Sequence, residues 1–516
     1  MRNLLAVIAF VIFTPSAFAT SLDYEAEAKR SMDAFDSTGM VLGVMVDGEV
    51  AYTGAFGKAE EGTDRVVTKD MLFPIASISK AFTTTALAIL ADREKIDWDD
   101  PVQKHIPEFA MYDPWVSERF TIRDMLTHRS GLPLGAGDLL FWPDGDASTD
   151  DFIAALPHLR PSAGFRAEYA YDNLLYIVAG EVVKRASGKG WAEFVSEEIF
   201  KPVGLNNCVA KHTLIPDDAK VVRGHERAPT DERGTPMPDR IFFLNPDMAS
   251  AGGIFCPVAD MMTWAKFWLD GGVTKDGDRV ISERQVDEVW RGVTPLRSRQ
   301  TLKDSGLTVQ SIYALGWIVQ DFEGRRMVTH SGGWPGVASN FILIPEEKIA
   351  VFASSNDYRQ AAHAVTYQLA DGLIGDQDFD FIEAWGSGFK ERLKRATSAV
   401  SDAVAQPENA SSPSLALDAY VGTYRDAWYG DVSITMKDSG LFIDMGRSEV
   451  LDGALSHYDG NRFTAFWPDP SLKADAFVDF TIEDDEVVGV KMKAISKITD
   501  FSYDFHDLDL VRVKTN

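Results

Sequence analysis

Cysteine is scarce in this sequence, and no metal-binding pattern is present. Only Cys208 and Cys256 occur in 516 residues. The nine histidines form neither a His-Glu-x-x-His pattern nor a cluster with cysteine, so a zinc site is not expected. A disulfide is possible in an exported protein, but a chain of this size does not need one, and the sequence leaves open whether the two cysteines pair. No metal and no other cofactor is predicted.

Positive charge is also in short supply. The chain carries 51 lysines and arginines against 78 aspartates and glutamates, which gives a formal net charge of −27. No run of basic residues interrupts this excess. Such a surface repels nucleic acid and anionic lipid, so neither is expected as a partner. A small molecule or a peptide remains as the expected binding partner, and the oligomeric state is not indicated.

Long hydrophobic runs are missing after the N-terminus. Met1-Arg2-Asn3, an apolar stretch over residues 4–13 and Ala17-Phe18-Ala19 form the three parts of a secretory signal peptide. An uncleaved membrane anchor is the alternative, but Thr14-Pro15-Ser16 ends the apolar stretch before it could span a bilayer. We therefore predict a signal peptide over residues 1–19, no membrane span, and a soluble mature protein in the periplasm or outside the cell.

The chain is too long for one hydrophobic core, so two or three domains are expected. Residues 40–46 and 49–56 have strand composition and flank Asp47-Gly48, a pair typical of a tight hairpin. Four further strand-like runs come much later, at residues 313–320, 326–330, 340–344 and 349–354. The region between the two blocks, about residues 75 to 300, has mostly helical patterns. The simplest architecture joins both blocks in one antiparallel sheet, which meets the helical region in a cleft.

The pattern changes near residue 407. Residues 407–414 have the composition of a linker, and after Tyr420 short runs alternate apolar and polar residues between glycines and aspartates. This alternation is typical of a small β-barrel. The predicted fold class is therefore α/β, with an antiparallel sheet flanked by helices and a mostly helical subdomain over residues 20–397. A linker that includes the end of a connecting helix (398–414) and an antiparallel barrel (415–516) follow.

The string Ser77-Ile78-Ser79-Lys80 is the first of three that carry candidate chemistry. Its spacing puts Ser77 and Lys80 on one face of a helix, one turn apart. A serine hydroxyl becomes a nucleophile when a neighbouring base accepts its proton, and the start of a helix offers the free N–H of Ser77 to an oxyanion. The same spacing also arises by chance, so a surface lysine beside a capping serine is the alternative interpretation.

The second string is Tyr171-Asp172-Asn173. Tyr171 and Asn173 are two residues apart on a loop that enters a helix, so both can point into one cleft. A nearby Lys80 would lower the pKa of the Tyr171 phenol and make it an acceptor for the Ser77 proton, while Asn173 could bind a substrate amide. A buried tyrosine next to a helix cap is the alternative, and the sequence does not decide whether Asp172 faces the cleft.

The third string, His330-Ser331-Gly332-Gly333, ends an apolar strand. Glycines such as Gly332 let a ligand lie against the backbone, and the N–H of Gly333 is the candidate second oxyanion donor opposite that of Ser77. We expect His330 and Gly332 to line the substrate site. A core histidine at a strand end is the alternative interpretation of His330.

The three strings in this order resemble the serine β-lactamase-like hydrolases related to class C β-lactamases, D-aminopeptidases and low-molecular-weight penicillin-binding proteins. The resemblance covers about residues 42 to 356. It includes four further strings: Phe73-Pro74-Ile75-Ala76, Leu126-Thr127-His128-Arg129-Ser130-Gly131-Leu132, Lys201-Pro202-Val203-Gly204-Leu205 and Ala251-Gly252-Gly253-Ile254. The C-terminal part, on the string at residues 420–424 and its strand pattern, is similar to the lipocalin-like barrel appended to some peptidases of this group.

The resemblance implies a catalytic role for Ser77 as nucleophile and for Lys80 and Tyr171 as the proton-transfer pair. It also implies that Asn173 and His330 line the substrate site. By analogy, the barrel approaches the cleft, so its deletion should alter the preference for substrate length while leaving acylation by a small ester intact.

One departure from the family pattern concerns substrate choice. Dedicated β-lactamases and many penicillin-binding proteins have lysine where this chain has His330, and histidine is mostly neutral at pH 7. Selection for a substrate carboxylate should therefore be weaker. The sequence favours a peptidase or amidase that acts on small or D-residue-containing peptides. An esterase, a β-lactam hydrolase, or a non-catalytic protein that binds cell-wall peptide are the alternatives.

Overall fold

The structure is a computed structural model that describes residues 22–226, 234–297, 302–303, 306–375, 379–404, 406–497 and 499–514. The predicted signal peptide lies outside these described residues. None of the described helices combines the length and the hydrophobicity needed to cross a bilayer.

The first domain is built around an antiparallel sheet. The strands of this domain are, in chain order, β1 (Gly39–Val46), β2 (Glu49–Gly57), β3 (Phe73–Pro74), β4 (His225–Glu226), β5 (Thr235–Pro236), β6 (Phe255–Cys256), β7 (Thr294–Leu296), β8 (Ser311–Tyr313), β9 (Ile318–Phe322), β10 (Arg325–Trp334), β11 (Val337–Ile344) and β12 (Ile349–Ser355). Eight of them form one sheet in the order β2-β1-β12-β11-β10-β9-β8-β7. Because β1 pairs with β12, with Leu42 opposite Ala353, the two predicted blocks of strands do share one sheet.

Two turns decide where these strands begin and end. Asp47 and Gly48 both adopt positive φ, 52° and 76°, which is the conformation that the tight turn between β1 and β2 requires. The predicted single strand over 313–320 is wrong, since the chain leaves the sheet between Tyr313 and Ile318. Gly316 has φ 74°, and a Cβ there would lie 3.0 Å from the carbonyl oxygen of Lys80. The close approach to the helix that carries Lys80 therefore explains the break.

Helices cover both faces of the sheet. They are α1 (Tyr24–Phe35), α2 (Ser79–Asp92), α3 (Pro114–Arg119), α4 (Ile122–Leu126), α5 (Thr149–Ala155), α6 (Leu174–Ser187), α7 (Trp191–Val195), α8 (Lys201–Val203), α9 (Asp239–Phe242), α10 (Ala249–Gly252), α11 (Val258–Leu269), α12 (Glu283–Val289), α13 (Ala361–Ile374) and α14 (Phe381–Val404). Helices α1, α13 and α14 pack together against one face, and α11 packs against the other. Strands β11 and β12 are buried along their whole length, as their continuous apolar sequences require.

Helix α2 lies at the centre of the helical region, where every residue from Ser79 to Leu90 is buried. A helix that is apolar on all sides has to be buried, and its few polar groups need internal partners. The hydroxyl of Thr83 donates to the carbonyl of Ser250 at 2.6 Å, and that of Thr85 donates to the carbonyl of Ala81 at 2.7 Å. The helix that begins after Ser77 is therefore held rigidly.

A disulfide supports the segment that leads to Ser77. Cys208 is bonded to Cys256, which resolves the pairing that the sequence left open. Cys256 belongs to β6, and β6 pairs with β3, the strand that ends two residues before the 3₁₀ turn Ala76–Ile78. The covalent bridge thus anchors the strand next to the turn that carries Ser77.

The second domain is a closed antiparallel barrel. Its strands follow one another around the barrel: β13 (Gly422–Asp426), β14 (Gly430–Lys437), β15 (Gly440–Asp444), β16 (Gly453–Asp459), β17 (Arg462–Phe466), β18 (Ala476–Glu483), β19 (Glu486–Ala494) and β20 (Leu510–Arg512). Pairing of β13 with β20 closes it. The predicted fold class, a sheet-and-helix domain followed by a small antiparallel barrel, is confirmed. The exact domain boundaries stay predictions.

Candidate active site

Ser77 sits in a tight turn between β3 and α2. The preceding residue, Ala76, has φ 48°, a left-handed conformation that a residue with a Cβ rarely adopts and that the surrounding structure must enforce. Strand β10 contributes to this, because a Cβ on Gly332 would overlap the carbonyl oxygen of Ile75. Gly332 thus lets β10 lie directly against the turn that presents the Ser77 hydroxyl.

The three predicted catalytic side chains meet at the Ser77 oxygen. The Tyr171 hydroxyl donates a hydrogen bond to Ser77 Oγ at 2.7 Å. Lys80 Nζ lies 3.2 Å from the same oxygen and 4.7 Å from the centre of the Tyr171 ring. Two groups that can accept or donate a proton are therefore in direct contact with one hydroxyl, as nucleophilic catalysis requires.

Lys80 is completely buried. Besides Ser77, its Nζ donates to Asn173 Oδ1 and to the carbonyl oxygen of Ala251, each at 2.8 Å. Burial disfavours the charged amine and lowers the pKa of Lys80 to about 7, although the carboxyl groups of Asp138 and Asp172 oppose this shift. A substantial fraction of Lys80 is therefore neutral near pH 7.

The prediction that Lys80 lowers the pKa of Tyr171 is wrong. Burial among aromatic rings raises the pKa of Tyr171 well above its usual value, and the hydrogen bond to Ser77 only partly opposes this. His128 is one of these neighbours, with its ring centre 4.2 Å away, and Phe501 of the barrel meets the Tyr171 ring edge-on at 6.1 Å. With its pKa raised in this way, Tyr171 stays protonated in the resting site.

Asn173 connects the lysine to a carboxyl group that sequence analysis missed. Its Oδ1 accepts from Lys80, and its Nδ2 donates to Asp138 Oδ2 at 2.8 Å. Burial raises the pKa of Asp138 well above its usual value, against the hydrogen bonds from Asn173 and Ser502. Asn173 is thus engaged at both ends of its amide, and its predicted contact with substrate stays a prediction. Asp138 begins a short 3₁₀ turn, Asp138–Leu140, that contains no motif, so no local signal marks it.

Asp172 lies beneath the site and not in the cleft. Its side chain is fully buried, its Oδ1 accepts from the backbone N–H of Leu175 at 3.3 Å, and its own N–H donates to His128 Nδ1 at 3.1 Å. Burial raises the pKa of Asp172 to about 7. The side chain of Asp172 does not face the cleft, which answers the question that the sequence left open. Instead it accepts a hydrogen bond at the start of α6 and raises the pKa of Lys80.

His330 is buried behind Tyr171, with 3% of its surface exposed. Its Nδ1 lies 2.7 Å from the carbonyl oxygen of Ser331 and must carry the proton, so Nε2 accepts from the Tyr313 hydroxyl at 2.9 Å. Burial and the nearby Lys80 lower the pKa of His330 to about 3. The ring is therefore neutral at pH 7, as the sequence suggested, but it backs the site and presents little surface to a ligand.

A cavity of about 540 Å³ opens beside β10, between the two domains. Gly332 and Gly333 line it, together with Trp142, Tyr358 and Tyr503 of the barrel. Ser77 and Lys80 are not among its lining residues. The cavity therefore adjoins the predicted substrate strand and is lined by residues of both domains.

Among the described residues, no group of three His, Cys, Asp or Glu side chains is arranged to hold a metal ion. Residues 26–373 match the family model described as Beta-lactamase, which is more than half of the chain. The chain belongs to the beta-lactamase family. A second model, described as a domain of unknown function (DUF3471), matches residues 406–512. The resemblance drawn from the sequence is confirmed for the beta-lactamase domain, and the second match contains the barrel.

Similar proteins include hydrolases and peptidases. The unguisins hydrolase ungD′ of Aspergillus campestris is 29% identical over 433 residues, which is 80% of this chain and 77% of that protein. The D-alanyl-D-alanine-carboxypeptidase/endopeptidase AmpH of Escherichia coli K12 is 26% identical, over 61% of this chain and 78% of that protein. The octameric penicillin-binding protein homologue from Pyrococcus abyssi has a TM-score of 0.61 at 19% identity and covers 95% of this chain and 100% of its own. That structure supports the fold of this beta-lactamase family member over both domains.

Proposed function

We propose that this protein is an exported serine hydrolase that forms an acyl-enzyme on Ser77 and releases the product to water. The observation that carries this proposal is the position of Ser77 Oγ, within hydrogen-bond distance of both Tyr171 Oη and Lys80 Nζ. A hydroxyl with an adjacent base is the arrangement that acyl transfer through serine needs.

Lys80 is the base in this proposal. A neutral amine has two N–H groups and one lone pair, and two oxygens, on Asn173 and Ala251, lie 2.8 Å from Nζ. They account for both N–H groups, which leaves the lone pair directed at the Ser77 hydroxyl 3.2 Å away. The serine proton passes to Nζ as Oγ bonds to the substrate carbonyl carbon.

Tyr171 supplies the proton to the leaving group. Once Lys80 has become an ammonium, its charge lies 4.7 Å from the centre of the phenol ring, which favours loss of the phenol proton at that stage. The leaving amine or alcohol takes this proton from Tyr171. The Lys80 ammonium then returns a proton to the Tyr171 phenolate. We assign the N–H groups of Ser77 and Gly333 to the oxyanion. Water then attacks the acyl carbonyl carbon and the bond to Ser77 Oγ breaks. Lys80 and Tyr171 carry the proton of this water to Ser77 Oγ, which restores the site.

Peptides, in particular small or D-residue-containing ones, are the proposed substrates. The neutral His330 offers no cation to a substrate carboxylate, which argues against β-lactam hydrolysis as the main activity. Similarity to a D-alanyl-D-alanine-carboxypeptidase/endopeptidase supports a peptide with D-residues. Hydrolysis of esters or of β-lactams by the same groups is the alternative. A non-catalytic role in binding cell-wall peptide is disfavoured, because a binding protein has no need of a buried near-neutral lysine beside a serine.

Export is proposed from two observations. Residues 1–19 have the three parts of a signal peptide, and the disulfide between Cys208 and Cys256 is typical of an oxidising compartment. A periplasmic or extracellular location is consistent with both.

Two experiments test the proposal. A fluorophosphonate should label the purified protein once per chain, and peptide mapping should find the label on Ser77. Folded protein that stays unlabelled would favour the peptide-binding alternative. A panel of diastereomeric D- and L-aminoacyl amides, short esters and a chromogenic cephalosporin should show the highest kcat/KM on a D-residue peptide or amide.

The pH dependence of ester hydrolysis should report the charge of Lys80. Burial lowers its pKa to about 7, so the amine gains its lone pair as the pH rises through about 7 and the rate rises with it. Six titratable side chains surround Lys80: Tyr171, Tyr176, Asp138, Asp172, His128 and His330. The plot of kcat/KM against pH should have an acid limb with a midpoint near 7. Tyr171 should add no alkaline limb at the pH where a free tyrosine titrates, because its pKa is raised well above that value.

Asp172→Asn serves as the control for this profile, because the pKa of Asp172 is also raised to about 7. The variant should keep the limb and move it to slightly lower pH, since the Asp172 carboxylate raises the pKa of Lys80. A limb that disappears in Asp172→Asn, or one in the carboxylate range at about pH 4 in the unaltered protein, would rule out Lys80 as the titrating base.

A further inference from the structure

A short segment of the barrel domain, residues 499–504 between β19 and β20, contacts buried groups of the beta-lactamase domain. The carboxylate of Asp504 accepts from the backbone N–H groups of Gly137 and Leu139, at 2.7 Å and 3.1 Å. Two residues earlier, the hydroxyl of Ser502 donates to Asp138 Oδ2 at 2.8 Å. All three contacts fall on one turn of the first domain, and the side chains of Asp138 and Asp504 are fully buried.

This turn is connected to the catalytic lysine. The same oxygen, Asp138 Oδ2, accepts from Asn173 Nδ2 at 2.8 Å, and Asn173 Oδ1 accepts from Lys80 Nζ at 2.8 Å. Lys80 in turn lies 3.2 Å from Ser77 Oγ. A continuous chain of hydrogen bonds therefore runs from a barrel hydroxyl to the nucleophile.

Each link of this chain fixes the direction of the next. Because Asp138 Oδ2 accepts from Asn173 Nδ2, the other end of the amide, its oxygen, is turned toward Lys80. The carboxylate has few donors: Asp138 Oδ1 has no hydrogen-bond partner within the described part of the chain, and Oδ2 has Asn173 and Ser502. A buried carboxylate that loses one of two donors is destabilised as a charged group and as an anchor.

We propose that Ser502 of the barrel is a positioning residue of the active site, which acts through Asp138 and Asn173 to hold the Lys80 amine for proton transfer from Ser77. This inference rests on the proposed acyl-enzyme function. It changes the expectation drawn by analogy, because a barrel that supplies this hydroxyl affects the acylation of small esters as well as the choice of long substrates.

The test compares Ser502→Ala with Thr499→Val in the full-length protein. Thr499 lies on the same segment, but its hydroxyl donates to the carbonyl of Lys473 inside the barrel. On a small ester, Ser502→Ala should lower kcat about tenfold with KM changed less than about twofold, which is the loss of about one hydrogen bond to a charged group. Thr499→Val should keep the kcat of the unaltered protein.

A second readout separates positioning from simple docking of the barrel. The Ser502 hydrogen bond lowers the pKa of Asp138, and the Asp138 charge raises that of Lys80. Loss of the hydroxyl should therefore move the acid limb of the pH profile to lower pH. Asp138→Asn keeps the shape of the side chain and removes its charge, so it should move the limb further in the same direction.

The outcomes are distinct. Unaltered protein that neither hydrolyses the ester nor takes the phosphonate contradicts the proposed function before any variant is made. If the unaltered protein is active and a folded Ser502→Ala retains its kcat and its acid limb, or if Thr499→Val loses as much activity, the role of Ser502 is refuted. If Ser502→Ala does not fold, Asp138→Asn decides, and an unchanged limb and kcat in that variant overturn the inference.

Discussion

Ser77→Ala should abolish turnover, with kcat lowered by about 10⁴-fold or more on every substrate that the unaltered protein hydrolyses. The reason is that the two groups poised to move its proton, Tyr171 and Lys80, converge on Ser77 Oγ, the oxygen on which the acyl-enzyme forms. The measurement is steady-state hydrolysis of the best substrate of the panel, together with the stoichiometry of phosphonate labelling.

Ser196→Ala is the matched control for this experiment. Its hydroxyl donates to the carbonyl of Ala192 one helical turn away and lies outside the site. The control should keep full activity and full labelling. Labelling that persists in Ser77→Ala, or turnover reduced by less than about tenfold, would show that another residue is the nucleophile.

Lys80→Met should lower kcat/KM by about 10²- to 10⁴-fold, the usual contribution of a general base. Methionine fills a similar volume without a lone pair on nitrogen, so the Ser77 proton has no acceptor. The variant also leaves Asn173 Oδ1 and the carbonyl of Ala251 without their donor. This loss of stability offsets the stability gained by removing a buried amine. We therefore expect a folded protein in which the acid limb near pH 7 has disappeared.

Lys184→Met provides the comparison, because this lysine lies on the exposed side of α6 and pairs with Glu181. Its activity and pH profile should match those of the unaltered protein. If Lys80→Met instead retained the limb near pH 7, the titrating group would be one of its buried neighbours, and Lys80 would have a structural role.

The parts of the fold that follow local rules could be predicted from the sequence. The hairpin at Asp47-Gly48 depends on two residues that tolerate positive φ, and the helix after Ser77 depends on a continuous apolar pattern. The strand over 313–320 could not be predicted, because its break depends on how closely Gly316 approaches Lys80. That distance is a property of the packed structure and not of the residues nearby in sequence.

Some residues of the candidate site could likewise be predicted from the sequence, and others could not. Ser77, Lys80 and Tyr171 are found from spacing and from the family resemblance, and they do meet. The sign of the pKa shift of Tyr171 was missed, since it depends on burial, and burial outweighs the nearby cation. Asp138 and Ser502 were missed because they lie in segments without motifs and meet across 364 residues of chain.

That long separation has a consequence for folding. Domains generally fold as units, the N-terminal one first, so we expect the domain with Asp138, Asn173 and Lys80 to fold before the segment with Ser502 docks on it. During this interval the nascent enzyme has its nucleophile but not the hydroxyl that braces the lysine. Full hydrolytic competence would then be delayed until the barrel docks, which is a form of temporal control encoded by chain order alone.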